Sequence, residues 1–143
     1  MNLGKNMNPL AQLTAIGVVR SELKTLEDCP KQGYEGAPSA RIDILPPYRD
    51  ALLGMKPGAR VAVLTWLHNS DRDTLVVHPR HNPKNPLTGV FLTRSPNRPN
   101  PIGLHEVTVT AVDETGLTAD PLEALDGTPV IDIKISLPPG KKK

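Results

Sequence analysis

The residues best suited to chemistry lie in the run Gly89–Leu104, GVFLTRSPNRPNPIGL. A strand-like stretch, Gly89 to Thr93, passes directly into a turn stiffened by Pro96, Pro99 and Pro101. Proline fixes φ and removes a donor, so such a turn loses little entropy when a ligand docks. It carries Arg94, Ser95, Arg98 and Asn100. Guanidinium groups are rigid forks for carboxylate or phosphate, which suits an anion-binding turn. Composition alone serves equally for a structural turn whose arginines tie strands together. A second run, Leu125-Asp126-Gly127-Thr128-Pro129, has the Asp-Gly pair of a plain turn. A third, Cys29-Pro30-Lys31-Gln32, offers one cation and one amide in a loop.

Other chemistries find less support. His78 and His81 flank Pro79-Arg80, and His68 ends a strand-like run, but no Cys or carboxylate joins them at ligand spacing. Arg80 would also repel a cation, so no metal site is expected. Nothing resembles a nucleophile elbow, and no GxGxxG follows a strand, which argues against a Rossmann-type cofactor site.

The elements that must hold these segments are short strands. Ala15–Arg20, Ala40–Leu45, Arg60–Leu67, Thr74–Val77, Gly89–Thr93, Leu104–Val112, the continuation through Leu117 and Ala119, and Val130–Ile135 all read as β. In Leu104–Val112, Val107, Val109 and Ala111 alternate with Thr108 and Thr110. In the last strand, Ile131, Ile133 and Ile135 alternate with Asp132 and Lys134. Glu22–Pro38 reads as a long loop, Asp50–Leu53 as one helical turn, and Lys56-Pro57-Gly58 and Asp113–Gly116 as turns. His78–Leu87 is a loop with three prolines and four possible cations. Seven or eight such strands without a βαβ rhythm predict an all-β fold, a small β-barrel with long loops and little helix. The expected organisation is a flexible arm over 1–13, a barrel domain over 14–137 and a basic tail over 138–143.

Composition agrees. A chain of 143 residues suits one core. With Tyr34, Tyr48, Trp66 and Phe91 as its aromatics, that core must be Val, Ile and Leu. The 16 prolines and 11 glycines favour turns over long helices. A net charge of +2 requires any RNA contact to come from a local cluster. Cys29 is the single cysteine, so no intramolecular disulfide forms. With neither a signal-like h-region nor an 18-residue apolar run, a cytoplasmic protein without a membrane span is expected.

Taken in order, the strings Pro30-Lys31-Gln32, Leu45-Pro46-Pro47-Tyr48, His68-Asn69, Gly89-Val90-Phe91, TRSPNRPNPIGL over 93–104, and Leu125–Val130 with Asp132-Ile133-Lys134 resemble the TsaA-like (TrmO-type) methyltransferase family. The resemblance runs from about Ala15 to Ile135. It implies a small β-barrel, S-adenosylmethionine as cofactor, a homodimer with the cofactor near the subunit interface, and methylation of N6 of threonylcarbamoyl-adenosine beside the anticodon of tRNA. Carried over residue by residue, it implies cofactor contacts at Pro30, Lys31, Gln32, His68, Asn69, Arg94, Leu104, Leu125, Asp126, Gly127 and Thr128. Two departures stand out. Lys31 occupies a position where the family usually has Arg, which keeps the charge but loses the fork. The usual DIKPY ending reads Asp132-Ile133-Lys134-Ile135-Ser136, and the C-terminal domain of longer members is not expected here.

Within this resemblance, Arg94 and Lys31 are candidates for the methionine carboxylate and Asp126 for the ammonium or ribose. His68 and Asp126 are the candidates for a general base. Arg80, His81, Lys84 and Arg98 form the densest cationic cluster and are the expected tRNA contact, with Arg80, Lys84 and Arg98 as its core. Two competing readings remain: a non-catalytic RNA-binding barrel, and a cofactor sensor or methyltransferase for another small substrate. The first requires exposed aromatics for base stacking.

Overall fold

The computed structural model describes residues 10–24 and 37–138. The Pro30-Lys31-Gln32 loop, Cys29, most of the N-terminal arm and residues 139–143 lie outside the described residues. Among the described residues there are eight strands: β1 (Gly17–Arg20), β2 (Ala40–Ile44), β3 (Arg60–Trp66), β4 (Val76–Val77), β5 (Thr88–Gly89), β6 (Ile102–Asp113), β7 (Gly116–Asp120) and β8 (Pro129–Ile135). Six close a barrel in the order β1-β2-β7-β6-β3-β8, and β4 and β5 pair as a separate ribbon. Among the described residues there is no α-helix, only three 3-10 segments. The all-β barrel read from the sequence is therefore borne out.

Alternation explains the core. Val19, Ile42, Ile44, Val61, Val63, Val107, Val109, Leu117, Ala119 and Val130 all point inward, and every one is buried. A six-stranded barrel is filled by such side chains, leaving no lumen for a ligand. The helical turn expected at Asp50–Leu53 is a 3-10 segment over Pro46–Leu52, begun by its two prolines.

Three readings are corrected. The strand expected over Gly89–Thr93 stops at Gly89, and Val90–Leu92 forms a 3-10 turn. The cause is local: the Thr93 N–H, the Thr93 hydroxyl and Arg98 Nη2 all donate to the Val90 carbonyl, which pulls the chain into a tight turn. The face carrying Val107 and Val109 does not continue to Ala111, because the pairing of β6 with β7 shifts between Val109 and Ala111. Ala111 is exposed. In β8 the register shifts against Leu64 and Thr65. Val130 then faces the core and Ile133 packs against it, while Ile135 is exposed. A bulge adds one residue to one strand, so side chains beyond it change face.

Topology sorts the connections by barrel end. The links 21–39, 67–101 and 121–128 all emerge from one mouth, where β1, β3 and β7 end and β2, β6 and β8 begin. The short turn at Asp113–Gly116 and the 3-10 segment Pro46–Leu52 lie at the opposite end. The described segments that the sequence marked for chemistry, His68-Asn69, the Arg94 turn, Leu104 and Leu125–Thr128, belong to the first mouth.

Candidate active site at the barrel mouth

The Leu125–Thr128 turn is joined to the end of β1 on both sides. Asp126 N–H donates to the Leu23 carbonyl (2.8 Å), Gly127 N–H to that of Val19 (2.8 Å), and Val19 N–H to that of Thr128 (2.9 Å). Gly127 sits at φ +86°, which an L side chain rarely adopts. Buried Thr128 closes the turn by donating its hydroxyl to the Leu125 carbonyl at 2.7 Å. The Asp126 carboxylate accepts the Ser21 N–H at 3.0 Å and pairs with Lys24 Nζ at 3.1 Å. Those two contacts hold its pKa below the usual carboxylate range, the Ser21 bond first. They also fix Ser21–Lys24, the root of the segment that carries Pro30, Lys31 and Gln32. An open cleft of about 540 Å³ lies alongside, lined by Arg20, Ser21, Lys24, Arg41 and Asp126 among others.

The proline-rich turn is anchored just as firmly. Arg98 is half-buried, and its guanidinium donates to the carbonyls of Thr93 (3.1 Å), Ser95 (3.1 Å) and Val90 (2.5 Å). Three of its five N–H donors therefore hold the turn itself. Arg72 donates to the Pro99 carbonyl (2.7 Å) and to Asn100 Oδ1 (3.0 Å), while its guanidinium lies 5.1 Å from the Trp66 ring centroid. Asp71 N–H reaches Asn97 Oδ1, and Arg98 N–H reaches the Asp71 carbonyl. On this scaffold Arg94 is exposed and makes no hydrogen bond or ion pair with a described residue. Its guanidinium is thus presented to solvent on a rigid mount.

His68 and Asn69 occupy the turn directly after β3. The turn is held by Leu67 N–H donating to the Pro101 carbonyl at 2.8 Å, so the His68-Asn69 pair and the PNPIGL string are adjacent. Leu104 pairs with Leu64 across β3 and β6. It points away from the core and is 41% exposed, beside Ile102 at 39%. Apolar surface at that position faces outward from the barrel wall. Arg80 and Lys84 lie in the loop between β4 and β5, where Arg80 (φ 58°) and His81 (φ 56°) both adopt the left-handed conformation. No cluster of three or more His, Cys, Asp or Glu that could hold a metal occurs among the described residues, and no helix is long and apolar enough to cross a membrane.

Residues 18–139 match the family model described as the tRNA-methyltransferase O N-terminal domain. The chain belongs to this family. A probable S-adenosyl-L-methionine-binding protein from Methanothermobacter thermautotrophicus is 45% identical over 123 residues, covering 86% of this chain and 88% of the relative. Another, from Archaeoglobus fulgidus, is 42% identical over 125 residues, covering 87% of this chain and 34% of the relative. Two crystal structures of TrmO from Pseudomonas aeruginosa match with TM-scores of 0.75 and 0.72 at 28% and 30% identity, over 96% and 90% of this chain. The chain spans 60% and 56% of those two structures and about a third of the Archaeoglobus relative.

Sequence reasoning missed the residues that build the mount. Ser21, Lys24 and Arg72 carry no motif signal, since these partners are 27 or more positions away. Thr65, His105 and Glu123 were missed likewise, since Thr65 and His105 are 40 positions apart and His105 and Glu123 are 18.

Proposed function

We propose that this chain binds S-adenosylmethionine at the barrel mouth and transfers its methyl group to N6 of threonylcarbamoyl-adenosine beside the anticodon of tRNA, as a homodimer in the cytoplasm. The observation that carries this reading is the convergence of His68-Asn69, the Arg94 turn, Leu104 and the Leu125–Thr128 turn at one end of a packed barrel. Family membership and relatives named for S-adenosylmethionine binding support it.

The groups present fit the cofactor. Arg94 offers an unpaired guanidinium to the methionine carboxylate, and Leu104 and Ile102 offer apolar surface to the adenine. Asp126 holds the root of the Pro30-Lys31-Gln32 segment and keeps acceptor capacity for an ammonium or ribose hydroxyl. Bound there, the cofactor supplies a methyl group already activated on a sulfonium, so the protein's task is alignment and exclusion of water. The adenosine amine becomes acidic as it attacks. Between the two base candidates we favour His68: its ring is exposed without a partner among described residues, whereas Lys24 and the Ser21 N–H make Asp126 a weaker proton acceptor.

The packed lumen and the outward-facing Leu104 leave water exclusion to a second surface. The β4–β5 ribbon and the turn after it expose Leu75, Val76, Leu87, Phe91 and Leu92. An apolar patch of that kind supports a partner copy beside the site. Arg80 and Lys84 on the same ribbon are our tRNA contacts. Arg98 joins them through the donors its turn does not use. A stacking platform for RNA alone is disfavoured, because Phe91 is the one openly exposed aromatic among the described residues, while Tyr48 packs against the core and Trp66 lies under Arg72. The test is transfer of labelled methyl from S-adenosylmethionine into tRNA from a strain lacking the modification. Label in the nucleoside N6-methyl-threonylcarbamoyl-adenosine is expected. Cofactor binding with no label in any tRNA would redirect the reading to another substrate.

A further inference from the structure

The barrel wall under the proposed site holds a chain of buried polar groups that the methyl-transfer chemistry does not use. Thr65 Oγ1 lies 2.8 Å from His105 Nε2, and His105 Nδ1 lies 2.7 Å from Glu123 Oε1. Thr65 is fully buried, His105 is 5% exposed, and the Glu123 side chain 13%. With Glu123 ionised, Nδ1–H donates to the carboxylate, and in the neutral ring Nε2 is left to accept the Thr65 hydroxyl proton. The order Thr-His-Glu has the form of a nucleophilic relay, but a fully buried hydroxyl cannot meet a substrate. Its space is reserved by Gly103, where an added Cβ would collide with Thr65 Oγ1 and lie 2.8 Å from His105 Nε2.

The position of the three residues gives the chain its meaning. Thr65 is on β3, three residues before His68. His105 follows Leu104 on β6. Glu123 stands between buried Leu122 and Ala124, two residues before Leu125. The β6–β7 pairing ends at Thr108 and Asp120, so no ladder ties the 121–124 segment to the start of β6. The His105–Glu123 bond makes that connection.

We propose that Thr65, His105 and Glu123 are positioning residues that fix the Leu125–Thr128 turn against Leu104 and the end of β3. This rests on the cofactor site proposed above. Replacing Glu123 by Leu keeps the packing and removes the bond, while Glu123→Gln retains an acceptor for the His105 N–H. Two readouts separate the claims: calorimetric titration with S-adenosylmethionine, and hydrogen exchange of the Gly127 and Thr128 amides in the ligand-free chain. Glu123→Leu should weaken binding about tenfold, consistent with loss of one charge-assisted bond. It should speed exchange at Gly127 and Thr128 well beyond any change at Ile42, and Glu123→Gln should restore most of both. If Glu123→Leu speeds exchange equally at all three amides, or if Gln rescues neither readout, the positioning role is refuted. A wild-type chain that binds no cofactor would refute the site instead, and the exchange comparison would still decide the positioning role.

Discussion

Arg94 and Asp126 show how two residues of one site can matter for different reasons. Arg94 makes no hydrogen bond or ion pair with a described residue, so Arg94→Ala should leave the melting temperature nearly unchanged and remove a charge-assisted contact of about 1.5–3 kcal/mol, roughly tenfold or more in affinity. Asp126 works through Ser21 and Lys24. Asp126→Ala should weaken binding by a similar factor and also loosen the chain, whereas Asp126→Asn keeps an acceptor for the Ser21 N–H and should fall between. Calorimetry with thermal melting on the three variants checks this, and wild-type affinity in Arg94→Ala would remove that residue from the site. Both residues were legible in the sequence, since each lies in a long, specific string. Their division of labour was not, because Ser21 and Lys24 meet Asp126 only when β1 pairs with β8.

At the scale of elements, hydrophobic alternation located all eight strands within a few residues. It failed where backbone hydrogen bonds overrode it. The Val90 carbonyl collects three donors and ends β5 early, the bulge in β6 turns Ala111 outward, and the bulge in β8 puts Val130 rather than Ile131 in the core. A bulge leaves no mark in a run of β-branched residues, so period-2 reasoning carries straight through it. Gly103 shows the same gap from the other side. The sequence presents it as part of a loop string, while the structure uses its missing Cβ to seat Thr65 and His105. Gly103→Ala should therefore destabilise the fold by about 1–3 kcal/mol through overpacking, whereas Gly89→Ala, with open space around it, should cost far less. Paired urea titrations compare them, and equal midpoints would contradict the packing described.

For the whole molecule, the outer barrel surface is joined by an ion-pair network. Arg41 bridges Asp43 (2.6 Å) and Asp113 (2.8 Å), and Arg20 also reaches Asp43 at 3.1 Å. The arginine bonds hold both carboxylates below their ordinary range. A carboxylate whose pKa is depressed by folding stabilises the fold above its unfolded value, near 3.9, and that stabilisation is lost as pH falls toward the folded value. Stability should thus hold from pH 7 to 5 and decline below about pH 4. Arg41→Met should start lower and decline less steeply; an identical slope would exclude the network as a cause. On the opposite flank, Arg80→Ala with Lys84→Ala should weaken tRNA binding and reduce its salt dependence by up to about two phosphate contacts, leaving cofactor affinity nearly unchanged. Loss of cofactor binding in that double variant would assign the loop to the cofactor instead.

In the proposed site the cofactor sits at the mouth where β3, β1 and β7 end. Titrating S-adenosylmethionine into isotopically labelled protein and following every backbone amide tests it directly. Saturable shifts are expected at His68, Asn69, Arg94, Leu104 and Asp126–Thr128, with the Asp113–Gly116 turn at the far end unmoved. Shifts centred on that far turn, or none anywhere at millimolar cofactor, would contradict it.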